Sequence, residues 1–160
     1  MNKSSLRDAI LAQLRSELAL QTSAALLARD EAISEESRAE NKYDTHSQEA
    51  AYLAEGQARQ AAEVETSLEH YATLPLPEYT SDMAIGLGAL VEVAPAAGQS
   101  TWYFLGPRAG GIELQVGNRR VLVVTPQAPL GRQLLGRHVG DYVATPGRTI
   151  NSKLRIVSVA

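Results

Sequence analysis

The chain has 160 residues, a net charge of −3 and no cysteine, which excludes disulfides, zinc–thiolate sites and a thiol nucleophile. The N-terminus MNKSSLRDAI lacks the apolar run of a secretory signal, and no stretch approaches the roughly 18 apolar residues of a membrane helix. A cytoplasmic protein without membrane attachment is expected. The charge is unevenly spread: residues 1–80 carry seven Lys/Arg and fourteen Asp/Glu, residues 81–160 eight and four. Nucleic acid would repel the acidic half, so direct binding of duplex DNA is not expected. Such a half suits a basic cavity or a cation.

Residues 1–74 read as helical. Gly56 is the only glycine or proline before Pro75, and Ala, Leu, Glu, Gln and Arg dominate. Ser4 or Ser5 is the expected cap. Leu6, Ile10, Leu14 and Leu18 follow at i+4 spacing, with Ala25, Leu26 and Ile33 as a weaker continuation. The pattern breaks between Ser37 and Thr45. Thr45 with Gln48 has capping-box spacing and predicts the start of a second helix. That helix turns Ala51, Tyr52, Ala58, Ala61, Val64, Leu68 and Tyr71 toward one side. It stops before Leu74-Pro75-Leu76-Pro77, because residues that precede proline avoid helical dihedrals. The prediction is an antiparallel helical hairpin, a coiled coil of about 40–50 Å at 1.5 Å per residue, with small facing side chains.

Residues 75–82 read as a linker. Residues 83–160 change character: 89–93, 101–105, 112–116, 121–125, 142–144 and 154–159 are short β-forming runs separated by Gly, Pro, Asn and Ser. Pro129 opens a short helix through Leu135, which Gly136 ends. The expected fold class is α+β: a hairpin, then a small, mostly antiparallel sheet with one helix. On the strand Trp102-Tyr103-Phe104, alternation puts Tyr103 opposite its neighbours. One face is expected in the core and the other is free for a partner or for solvent.

The segment from Ala128 to Asp141 resembles the C-terminal signature of the Gre-type transcription elongation and transcript-cleavage factors. Pro129, Gly136, Val139, Gly140 and Asp141 match it, and Ala128 stands where that family has Ser. Pro146-Gly147 and Ile156-Val157-Ser158-Val159 sit where the family has a Pro-Gly turn and a last strand. The resemblance implies an FKBP-like C-terminal domain that docks at the rim of the RNA polymerase secondary channel. Arg132, Gly136, Arg137 and Asp141 are its docking candidates. It also implies a hairpin that enters the channel, where two acids in a Gly-Asp-x-x-Glu-Asn tip help hold Mg²⁺.

Two registers are open at this chain's tip. Glu40-Asn41 matches the family's Glu-Asn with Ser37 for the Asp. Alternatively Glu40-Asn41-Lys42-Tyr43-Asp44-Thr45 overlies the whole motif, with Asn41 for Asp and Asp44 for Glu. The second is preferred because it places the helix start at Thr45. Either register loses one acid, and Asn supplies a neutral carbonyl where Mg²⁺ favours a carboxylate. The tip candidates are Glu40, Asn41, Lys42, Tyr43 and Asp44, with Asp44 and Glu40 sharing a polymerase-held Mg²⁺. The plainer alternative is a solvated acidic helix face with Asn41 and Asp44 as turn residues and Tyr43 packed over the end.

The remaining motifs carry no chemistry. His46, His70 and His138 lack metal-ligand spacing. No serine sits in a nucleophile elbow, and Gly106-Pro107-Arg108-Ala109-Gly110-Gly111 is neither a P-loop nor a dinucleotide fingerprint. Arg119, Arg120, Arg132 and Arg137 form either a basic patch or an ordinary solvated surface. The functional expectation is a monomeric Gre-like regulator that binds RNA polymerase. It has no catalytic residues of its own and no tightly bound cofactor, and strong stimulation of cleavage is not expected. The alternative is a coiled-coil dimeric adaptor whose β domain binds another protein.

Overall fold

The computed structural model describes residues 2–36, 45–96, 98–144 and 153–160. The elements run α1 (Lys3–Glu36), α2 (Thr45–Ala72), β1 (Leu90–Ala94), β2 (Thr101–Leu105), β3 (Glu113–Val116), β4 (Arg119–Val124), α3 (Pro129–Leu134), β5 (Tyr142–Ala144) and β6 (Lys153–Val159). The fold is α+β, a pair of long helices followed by a six-stranded mixed sheet. Two compact units are present: Met1–Leu11 with His70–Ala160, and Ala12–Glu69.

In the helical unit the spacing of small and apolar residues decides what turns inward. On α1 Leu14 and Ala28 are buried and Leu18, Gln21, Ala24 and Ala25 are half-buried. On α2 Val64 and Ser67 are buried, with Ala54, Gln57, Ala61 and Leu68 half-buried. These steps of three and four residues are those of one helical face. Leu26 and Ile33, expected to extend the α1 stripe, are instead exposed, because the face steps from Ala25 to Ala28. Ala51, Tyr52 and Ala58 on α2 likewise point outward, with Tyr52 74% exposed, and Ala54 and Gln57 take their place. The cap of α1 is also shifted from the expected serines. The Asn2 Oδ1 accepts from the Ser4 backbone N–H at 2.9 Å, which satisfies one of the free amides of the first turn. The described part of helix α2 runs from Thr45 to Ala72, ending ahead of the Pro75 brake.

In the sheet unit the strand order is β3-β4-β2-β1-β6-β5. Four of the pairings are antiparallel, and β2 runs parallel to β4. The parallel pair arises because β3 turns back onto β4 at the outer edge, so β4 returns beside β2 in the same direction. One face packs Val91, Val93, Leu105, Val124 and Ile156 against Leu130 and Leu134 of α3, with Tyr103 at the margin. The opposite face is buried too, at Leu90, Phe104, Val121 and Val123.

The second face explains why the ends of the helices belong to this unit. Tyr71 is fully buried, and its hydroxyl donates to the Arg108 carbonyl at 2.8 Å. Gly106 makes room for it: a Cβ there would overlap the Tyr71 hydroxyl and press on Val123. Leu6 and Ile10 are wholly buried in the same unit. The Lys3 ammonium donates to the Pro77 carbonyl and lies 5.0 Å over the Tyr79 ring. Partial burial lowers the Lys3 pKa, and the charge of Glu78 opposes that shift. Where alternation on this strand predicts one face free for a partner or for solvent, both are core, the Trp102 and Phe104 face being buried at Phe104 and half-buried at Trp102.

Candidate functional site

The segment from Ala128 to Asp141 forms one continuous surface feature. Ala128 is extended (φ −68°, ψ 149°), and Pro129 follows in the first turn of α3, where its missing N–H costs nothing. Leu130, Gly131 and Leu134 face the core, while Arg132 and Leu135 face out. Gly131 is required by close approach, since a Cβ there would overlap the Thr125 carbonyl. Gly136 takes φ 77°, the left-handed conformation that ends helices.

The turn after α3 is tied to residues 83–87. The Gly136 N–H donates to the Ile85 carbonyl at 2.8 Å, and the Ile85 N–H donates to the Arg137 carbonyl at 2.8 Å. Asp141 then organises the next turn. One carboxylate oxygen accepts from the His138 N–H at 3.0 Å, and the Asp141 N–H donates to the His138 carbonyl at 3.1 Å. Gly140, at φ 96°, donates to the Ile156 carbonyl, and Ile156 donates back to Asp141. Of the four docking candidates, Gly136 and Asp141 thus shape the loop. Arg132 and Arg137 are exposed and form no ion pair among the described residues.

Around them the surface mixes apolar and charged groups. Leu135 is 47% exposed and Tyr142 57%; Leu87 and Met83, on the segment bound to the turn, are also exposed. Asp82 sits beside this turn. The Thr80 hydroxyl and its own backbone N–H hold its carboxyl below the usual range, and His138 adds a smaller pull. Exposed apolar side chains among charged ones are the composition of a protein contact surface.

The sequence did not single out Gln133. Its amide oxygen accepts from the Ala144 N–H at 2.7 Å, and its amide nitrogen donates to the Ala144 carbonyl at 3.3 Å. Gln133 thereby covers part of the outer edge of β5, an edge strand that would otherwise offer open backbone groups. No local signal marks it, because the partner strand lies beyond the turn.

The four arginines grouped in the sequence have different surroundings. Arg119 stacks over Trp102 and Arg120 pairs with Glu113, away from the α3 segment in sequence and both on β4. The tip candidates Glu40, Asn41, Lys42, Tyr43 and Asp44, with the shared Mg²⁺ assigned to Asp44 and Glu40, lie outside the described residues. Among the described residues no group of three or more His, Asp or Glu side chains is placed to hold a metal. No helix among them is long and apolar enough to cross a membrane.

No family model and no curated protein matches the chain. Solved structures similar to it include the GreA factor homolog 1 (Gfh1) protein of Thermus thermophilus, at 21% identity over 94% of each chain with a TM-score of 0.39. A structure described as the transcription factor Gfh1 has 20% identity over 93% of this chain and 92% of the other, TM-score 0.40. Thermus aquaticus Gfh1 has 22% identity over 92% of each chain, TM-score 0.36. Scores at this level carry no weight for the role of any residue.

Proposed function

We propose that the chain is a Gre-like regulator that binds RNA polymerase and carries no catalytic chemistry of its own. In this reading the α3 surface docks on the polymerase, with Arg132 and Arg137 as contacts and Gly136 and Asp141 holding the loop in shape. The acidic hairpin enters the secondary channel. Its tip, Glu40 to Asp44, meets the active site, where Asp44 and Glu40 share a Mg²⁺ ion belonging to the polymerase. Asn41 brings no charge where the family has an acid, so the factor acts on elongating or backtracked complexes mainly by occupying the channel.

The observation that carries the reading is the signature segment itself. Its matching residues have distinct physical jobs in one loop, and they leave two arginines outward beside Leu135. Charge supports it: the helical unit has five Lys/Arg against twelve Asp/Glu, suited to a basic cavity.

The test pairs a pull-down on the cognate polymerase with transcript cleavage on stalled, backtracked complexes. The expected result is binding that falls about tenfold or more in Arg132→Ala/Arg137→Ala, the loss of about 1.4 kcal/mol or more. Glu40→Ala/Asn41→Ala/Asp44→Ala should keep binding and lose any effect on the complexes. Absence of binding by the unaltered chain would end the reading.

One observation favours the adaptor alternative. Leu20, Leu26, Leu27, Ile33, Tyr52 and Leu53 are all exposed on the helical unit. Against pairing of two such units stands the mutual repulsion of their acidic surplus. Mass in solution decides: a monomer is expected, and a stable dimer held by residues 12–69 would favour the adaptor.

A further inference from the structure

A groove of about 710 Å³ opens where the β1–β2 connection meets the β3–β4 turn. None of its residues belongs to the α3 segment. We propose that this groove binds an acidic peptide segment, with a side-chain carboxylate of the peptide held by Arg119.

Charge pairing within the groove singles out Arg119. Both oxygens of Glu92 are occupied: Ser100 Oγ donates to one at 2.6 Å and Ser158 Oγ to the other at 3.0 Å. Arg120 is neutralised by Glu113 on the neighbouring strand. Arg119 forms no ion pair among the described residues, and its guanidinium lies 4.7 Å over the Trp102 ring. Stacking on an indole orients the planar fork and leaves its edge N–H donors free. A fork held this way gives up little further freedom on binding a carboxylate with two parallel hydrogen bonds. The amides of Gln99 and Asn118 line the same groove and match the donors and acceptors of a peptide backbone.

The shape and charge choose among ligands. A small organic molecule would be mostly enclosed by its site, and this groove is partly open to solvent. Single-stranded nucleic acid needs a continuous basic track with free aromatic faces. Here Glu92 lies in the groove, Glu113 neutralises Arg120, and Arg119 covers Trp102. Among the described residues the groove carries one unpaired cation, Arg119, and one carboxylate, Glu92, held by two serine hydroxyls, so it fits one peptide carboxylate on an extended chain.

Trp102 is the only tryptophan, so its fluorescence reports the groove directly. The full chain is titrated with an acetylated, amidated octapeptide of alternating Gly and Glu, to millimolar concentration. The expected result is a saturable change in emission, absent when Gln replaces each Glu. Arg119→Gln should weaken binding tenfold or more, and Arg119→Lys should fall between. Arg119 is exposed, and unchanged thermal unfolding of both variants shows that they fold. Four results would overturn the proposal: no response to the Glu peptide, an equal response to the Gln peptide, unaltered affinity in Arg119→Gln, or tighter saturation by a single-stranded RNA octamer. The readout uses the chain without polymerase, so it stands or falls apart from the reading above.

Discussion

Tyr71 shows how one buried polar group sets a pH limit. Burial pushes its phenol above the ordinary tyrosine range, and its hydroxyl is bound to Arg108. The fold therefore prefers the neutral phenol. That contribution is complete below the unfolded tyrosine's pKa of about 10 and is lost as pH rises beyond it. Tyr71→Phe should cost about 1 kcal/mol at neutral pH and flatten the decline in stability above about pH 10, read by urea unfolding at pH 8 and 11. Gly131→Ala should cost about 1–3 kcal/mol through its clash with Thr125, measured by the same method. Gly136 was legible as a helix stop from its place after Leu135. Gly131 was not, because its need is a carbonyl approaching from Thr125, which helix spacing does not encode.

At the scale of elements, strands and helices fell close to where composition placed them, since short β-forming runs between turn residues leave little freedom. Which side of each helix turns inward was less legible. An Ala-rich helix has a weak apolar contrast, so Ala25 to Ala28 competes evenly with Leu26 and Ile33 until the partner is present. Ser67 is buried, yet its hydroxyl donates only back to the Glu63 carbonyl at 2.9 Å. That carbonyl already serves the helix, so Ser67→Ala should be neutral or stabilise by about 0.5 kcal/mol, measured by thermal melting. Gln133→Ala is the contrary case. It strips the cover from the β5 edge, and the Ala144 amide should exchange with deuterium about tenfold faster or more, the loss of about 1.4 kcal/mol of local protection.

At the scale of the molecule, the division of charge follows the compact units. The sheet unit holds ten Lys/Arg and six Asp/Glu, the helical unit five and twelve. If opposite surfaces on polymerase meet each unit, binding should weaken as salt rises from about 0.1 to 0.5 M, where screening shortens to a few Å. The sheet unit also depends on the start of the chain. Leu6→Ala should cost about 2–5 kcal/mol, visible as earlier urea unfolding of the Trp102 signal.

The sequence by itself determined the element order, the helix breaks at Pro75 and Gly136, the acidic and basic halves and the signature segment. These are local properties of propensity, turn chemistry and charge, and they persist whatever the chain packs against. Only the tertiary structure decided that Leu6, Ile10 and Tyr71 belong with the sheet and that both faces of β2 are core at Phe104 and Leu105. It also decided that Arg119 stands unpaired over Trp102 while Arg120 is paired with Glu113. Each of these joins residues distant in sequence, and burial and ion pairing across such distances are settled by the three-dimensional neighbours alone.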